Sequence, residues 1–217
     1  MRGSMCTVVP YKLRYSMRVK RLRIQVVPRG VIAIARHGTA VDDIERAILR
    51  HKDFIVEKQK YYQTVESTMI PASYKDCSQL PVLGKNVVLP QDLLDAENRE
   101  RLVVKWLDTR LMEFLEEKLK KYAEKGLAAA KLRLRSPITL WGSCGNSGIM
   151  INRKLVHAPA EVTEYVLVHE LVHLVHRNHS SRFWGEVEHL LGDVRAHRKW
   201  LNLQGAFLMN GEVPIIH

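Results

Sequence analysis

Cysteine is scarce in this 217-residue chain: Cys6, Cys77 and Cys144 lie far apart and form no CxxC pair. That excludes a disulfide scaffold, and such sparse usage fits a reducing, cytoplasmic compartment. Long apolar runs are missing as well. None approaches the roughly 18 residues that cross a bilayer, so neither a transmembrane helix nor a membrane partner is expected. No secretory apolar region, internal repeat or low-complexity tract is present. Acidic residues are absent from the first 41 positions, where nine basic ones stand (Arg2, Lys12, Arg14, Arg18, Lys20, Arg21, Arg23, Arg29 and Arg36). The rest of the chain is nearly balanced, with 25 basic residues against 23 acidic, so the net charge of +11 is concentrated at one end. That segment reads either as the solvated face of a strand or as a docking surface for nucleic acid.

With 46% apolar and 26% charged residues, the composition is that of a globular protein with a sizeable core. Arg21, Arg23 and Gln25 alternate with Leu22, Ile24 and Val26, and Pro28-Arg29-Gly30 separates this run from Val31–Ala35. Strand, turn, strand is the expectation. Thr39 is placed to cap a helix over residues 40–65, with Asp42 and Asp43 in its first turn. Short extended pieces are expected at 80–83 and 86–89. A helix over 96–125 carries the stripe Val103, Leu107, Leu111, Leu115, Leu119 and Tyr122 and stops at Gly126. Residues 131–135 alternate as a strand. Trp141–Gly148 reads as a Gly/Ser-rich loop, and 149–151 as a short strand whose edge is able to pair with an extended peptide. Helices are expected over 160–177, 181–191 and 193–202. The fold class is α+β, with an N-terminal mixed β and helix region over 1–91 and a second, helical domain over 92–217.

Histidine is concentrated where chemistry is expected. Seven of the ten lie between His157 and His197, and four fall within 169–179. His169-Glu170-Leu171-Val172-His173 is an HExxH on a strongly apolar helical stretch. Residues four apart share a helix face, so both imidazoles can reach one cation, and Glu170 projects beside a water held there. Two histidines and a third ligand make the open tetrahedral zinc shell of a hydrolase, in which Glu170 is the general base for the zinc-bound water. Four side chains compete for the third place. His176 sits about 10 Å along the axis from His169, too far for easy convergence on one ion. Glu186 and Glu188 can each donate from the following helix. His179, ten residues after His169, has the interval of the metzincin pattern HExxHxxGxxH. His176 occupies the glycine position of that pattern, so Asn178 is expected to make the turn in a left-handed conformation, with Ser180 capping the next helix.

The run Trp141-Gly142-Ser143-Cys144, Ile149–Asn152, Ala158-Pro159, Glu164-Tyr165-Val166, the HExxH, Asn178-His179-Ser180, Phe183-Trp184 and Trp200-Leu201 resembles the YgjP-like metallopeptidase family, related to the WLM and SprT-type zincins. The resemblance implies a minimal zincin-like domain and zinc-dependent hydrolysis of peptide bonds. It makes His169, His173 and His179 the ligands and Glu170 the base. Asn152 and Tyr165 are candidates for contacts behind the ligands or to the reacting oxygen, and Arg182 for a substrate carboxylate or phosphate. Two rival readings stand beside this one. In the first, a protease acts on nucleic-acid-associated proteins through the basic segment; in the second, the chain is a non-catalytic structural zinc module. Trp141, Phe183, Trp184 and Trp200 read as core anchors.

Overall fold

The computed structural model describes residues 9–17, 19–66, 69–71, 78–128, 131–209 and 212–214. Cys6, Cys77, Arg2 and Arg18 lie outside them. The chain forms two compact units, Met1–Thr68 and Met69–His217. The boundary expected near residue 92 thus moves upstream, because Leu80, Val82 and Leu89 are buried in the core of the second unit.

In the first unit, β1 (Tyr11–Tyr15), β2 (Arg23–Val27) and β3 (Gly30–Ala35) form a sheet in the order β1-β3-β2. The predicted strand–turn–strand is the antiparallel β2–β3 pair, and β1 joins β3 in parallel. Val31, Ala33 and Ala35 turn one face inward, where Ile44, Ile48, Ile55 and Tyr62 are also buried. The single helix expected over 40–65 is two, α1 (Val41–Arg50) and α2 (Lys52–Glu66), which meet at His51. Thr39 does not cap. Its hydroxyl donates to the Arg36 carbonyl, and Ala40 occupies the cap position without a side-chain bond.

In the second unit, β4 (Met69–Pro71) pairs with the C-terminal β10 (Glu212–Pro214). β5 (Gln79–Val82) and β6 (Lys85–Val88) form a hairpin through Leu83 and Gly84, both at positive φ, as a two-residue turn of this twist requires. The hairpin docks through the Leu83 N–H on the Val156 carbonyl, and His157 Nδ1 donates to the Pro81 carbonyl at 2.7 Å. A short α3 (Gln91–Leu94) precedes α4 (Arg99–Ala123). The predicted stripe of α4 faces the core: Val103, Leu107, Leu111, Leu115 and Tyr122 are buried and Leu119 packs at its margin. Gly126 ends it at φ +86°.

β7 (Leu132–Arg135), β8 (Gly142–Gly145) and β9 (Gly148–Asn152) form the second sheet in the order β7-β9-β8. Two expectations are corrected here. Gly142–Gly145 is a strand rather than a loop, paired antiparallel to β9. β9 is therefore central, and the edges of this sheet are β7 and β8. A 3₁₀ turn (Arg153–His157) leads into α5 (Ala160–Val172), followed by α6 (Ser181–Leu191), α7 (Arg195–Leu203) and α8 (Gly205–Met209). No helix among the described residues is long and apolar enough to cross a membrane.

Candidate active site

α5 starts at Pro159 and is buried on nearly every side, with Val162, Val166, Leu167, Val168, Leu171 and Val172 in the core. It ends five residues before the expected 177. Leu174 and Val175, which follow its last residue, are exposed. Past Val172 the backbone tightens: the Val172 carbonyl accepts from the N–H groups of Val175 and His176, and the His173 ring donates from Nδ1 to the His176 carbonyl at 2.9 Å. Asn178 takes no part as a left-handed residue, since Leu83 is the only non-glycine at positive φ among the described residues. The ring-to-carbonyl bond and the tight turn bring the chain round instead. Ser180 caps α6, as expected, by accepting from the Phe183 N–H at 3.5 Å.

This turn returns His179 to the HExxH face. His179 Nε2 lies 3.0 Å from His169 Nε2 and 3.2 Å from His173 Nε2, and ligand atoms of all three lie within 4.8 Å of one another. With Nδ1 on the His176 carbonyl, the His173 ring is oriented so that Nε2 faces the cluster. A tetrahedral shell with Zn–N bonds near 2.05 Å has ligand edges of about 3.3 Å, so this donor set fits such an ion. Three imidazole nitrogens gathered at this spacing can hold a metal ion. Glu186, Glu188 and the His176 ring are not in the cluster.

The electrostatics point the same way. Burial first, then the neighbouring His173, His179 and Arg198, lower the His169 pKa to about 4. Burial, His173 and Arg198 also lower that of His179. Both rings are thus held neutral near pH 7, the ligand form. Phe183 is fully buried, with its ring centroid 4.6–4.9 Å from all three imidazoles. Trp184 stacks on His179 at 5.8 Å, and the Arg198 guanidinium lies over the Trp184 ring, 4.4 Å from its centroid. These aromatics are anchors, and what they anchor is the histidine cluster.

Glu170 is buried, and burial pushes its carboxyl up to about 7, opposed by the backbone N–H of Cys144, which donates to it. β8 therefore lies directly against Glu170. A Cβ on Gly142 would stand 2.6 Å from Glu170 Cγ and 2.7 Å from Oε1. Sequence reasoning missed this contact, because the run Trp141–Gly148 carries no period-two apolar signal to mark a strand. A cleft of about 880 Å³ opens here, lined by β8, His169, Glu170, His173, Arg177 and His179.

The remaining candidates lie elsewhere. Asn152 is fully buried, donating from Nδ2 to the Pro137 and Leu140 carbonyls and accepting from the Lys154 N–H. It ties down the segment before β8 and does not line the cleft. Tyr165 is buried behind His169, edge-on at 6.0 Å, and stacks on His197. Arg182 is exposed in the first turn of α6, outside the cleft lining. Cys144 is a free thiol, the only cysteine described, and is not part of the histidine cluster.

Compared with known families, residues 87–204, just over half the chain, match the YgjP-like metallopeptidase domain. The chain belongs to this family. The matched span runs from β6 to the end of α7 and contains every residue of the histidine cluster. As a YgjP-like protein it falls among the peptidases, and its clustered histidines suit the metal that the family name implies. A comparison with curated proteins gives no match.

Proposed function

We propose that this YgjP-like protein is a zinc-dependent peptidase with a zincin-like catalytic domain, in which His169, His173 and His179 hold the ion and Glu170 is the general base. The observation that carries the reading is the convergence of three imidazole nitrogens beside a buried carboxylate. When bound, zinc would supply Lewis acidity toward water and the scissile carbonyl. Glu170, raised toward neutrality by burial, accepts a proton from the attacking water and returns it to the leaving amine. The Cys144 N–H fixes the carboxylate on the cleft side, and the low-dielectric wall around it strengthens each of these contacts. The free edge of β8 runs along the same cleft. An extended peptide added to that edge presents its backbone to Glu170 and the histidines. The free Cys144 thiol accords with a reducing, cytoplasmic setting.

Two measurements test this. Purified protein should carry about one zinc per chain. Glu170→Gln should keep the metal and lose peptide hydrolysis by roughly 10²–10⁴-fold or more. A Gln variant as active as the parent ends the proposal. A zinc-loaded parent that cleaves no peptide returns the chain to a structural zinc module.

A second reading concerns the first unit, which holds 14 basic and 6 acidic residues. Lys12, Arg14, Arg23 and Gln25 are exposed on the sheet face opposite Val31 and Ala33, flanking Ile32 and Ile34. No ion pair engages Lys12, Arg14 or Arg23 among the described residues. Arg21 instead lines a groove with Arg50 and His51. Charge complementarity supports docking of a nucleic-acid backbone on this face, bringing associated proteins to the peptidase. Duplex binding should weaken linearly on a log–log salt plot, and Lys12→Glu with Arg14→Glu should flatten the slope. Absence of binding at low salt leaves a solvated strand face.

A further inference from the structure

We infer that the outer face of the β7-β9-β8 sheet is a specificity subsite for a carboxylate side chain, which makes acidic peptides the preferred substrate class. The inference rests on the reading that a peptide pairs with the edge of β8. Strand alternation divides the sheet. Leu132, Leu134, Ile149, Ile151, Gly142 and Cys144 share the face toward α5, whereas Arg133, Met150 and Ser143 form one row across the other face. Arg135 is on that outer face too, and so is Lys131 just before β7. All three cations are exposed, and the strands themselves contain no acid. No ion pair engages Lys131, Arg133 or Arg135 among the described residues.

Two features separate this face from an ordinary solvated one. Arg133 starts two strands from β8, about 10 Å across the sheet. Its Nη2 donates to the Ser147 carbonyl in the turn that joins β8 to β9. The guanidinium is thereby held at the β8–β9 turn, where it lines a small cavity, and its other N–H groups have no partner among the described residues, a fork suited to a carboxylate. Arg133, Arg135, Ser143, Ser147 and Met150 also enclose a cavity of about 180 Å³, room for one acidic side chain and some water. It adjoins the catalytic cleft across the β8 backbone: Ser143, Cys144, Gly145 and Gly148 line both.

A peptide strand on β8 lies about 5 Å beyond it. Residues opposite Gly142 and Cys144 turn toward Glu170. The residue between them, opposite Ser143, continues the Arg133–Met150–Ser143 row and turns toward the cavity. A Glu or Asp there meets the arginine fork, Gln loses the charge, and Lys is repelled.

The test walks a single Glu, Gln or Lys through each position of an otherwise neutral, Thr/Val-rich decapeptide. Binding is read by calorimetry on zinc-loaded Glu170→Gln protein, and cleavage on the parent. At one register, Glu should bind on the order of tenfold more tightly than Gln, with Lys weakest, and the preference should shrink as salt rises. Arg133→Gln and Arg135→Gln should each bring the Glu:Gln ratio at that register toward one. The Arg135 side chain has no hydrogen bond or ion pair among the described residues and is exposed, so its variant carries the test if loss of the Arg133 bond unfolds the hairpin. A Glu:Gln ratio below about twofold at every register, or a preference untouched by both substitutions, overturns the subsite. Acid-selective binding without cleavage by the parent keeps the subsite and removes the peptidase reading instead.

Discussion

Gly142→Ala probes the close approach of β8 to the Glu170 carboxylate, the proposed general base. The added methyl would lie 2.6 Å from Glu170 Cγ, 2.7 Å from Oε1 and 2.9 Å from Cδ. Carbon atoms pack at about 3.5–4.0 Å, so one partner must withdraw by roughly 1 Å. The Gly142 backbone is fixed by its pairing with Ile151, whereas the Glu170 side chain has torsions to spare. Glu170 is therefore the group that moves, and in moving it leaves the Cys144 N–H. A misplacement near 1 Å costs on the order of 10²-fold in rate, and overpacking of this kind costs about 1–3 kcal/mol of stability. The assay pairs kcat on a cleaved peptide with zinc content and a thermal melt. The expected result is a folded protein with full zinc and kcat down by about 10²-fold. Gly185→Ala is the control, since a Cβ at Gly185 meets nothing within 4 Å. The reasoning fails if Gly142→Ala turns over at the parental rate, or if it loses metal together with activity.

Zinc stoichiometry should drop sharply in His179→Ala and stay near the parental value in His176→Ala, because only the His176 carbonyl touches the cluster; the opposite pattern would move the third ligand. Stability should fall with acid through His157, whose burial lowers its pKa to about 4 against the opposing Pro81 carbonyl. The unfolded ring takes up its proton near pH 6.5, so the folded state is fully favoured above that pH and loses roughly 2–3 kcal/mol by pH 4.5. Urea midpoints of the parent and His157→Gln between pH 7.5 and 4.5 check this, the variant showing the flatter curve; parallel curves would mean that His157 does not titrate as its burial requires.

Much of the local structure was legible because it depends on short-range periodicity. The HExxH places two imidazoles on one helix face by the geometry of an i, i+4 pair, and the α4 stripe from Val103 to Tyr122 marks its own buried side. The β2–β3 hairpin and the Ser180 cap follow from residue alternation and turn chemistry. Errors arose where a side-chain bond or a distant partner intervened. Thr39 has cap chemistry but spends its hydroxyl on Arg36, and the end of α5 is set by the His173 ring reaching a backbone carbonyl.

By itself, then, the sequence determined the α+β class, the apolar helix that carries two histidines and a carboxylate, and the concentration of positive charge before Asp42. Tertiary structure alone decided which of His176, His179, Glu186 and Glu188 meets that pair, because the answer depends on how the chain turns after Val172. It also decided that β9 is central and β8 an edge, and that Gly142 lies against Glu170. Strand order and close backbone approach are set by packing between segments far apart in sequence. A pattern of residue types records which face of a strand is apolar but not which strand lies beside it.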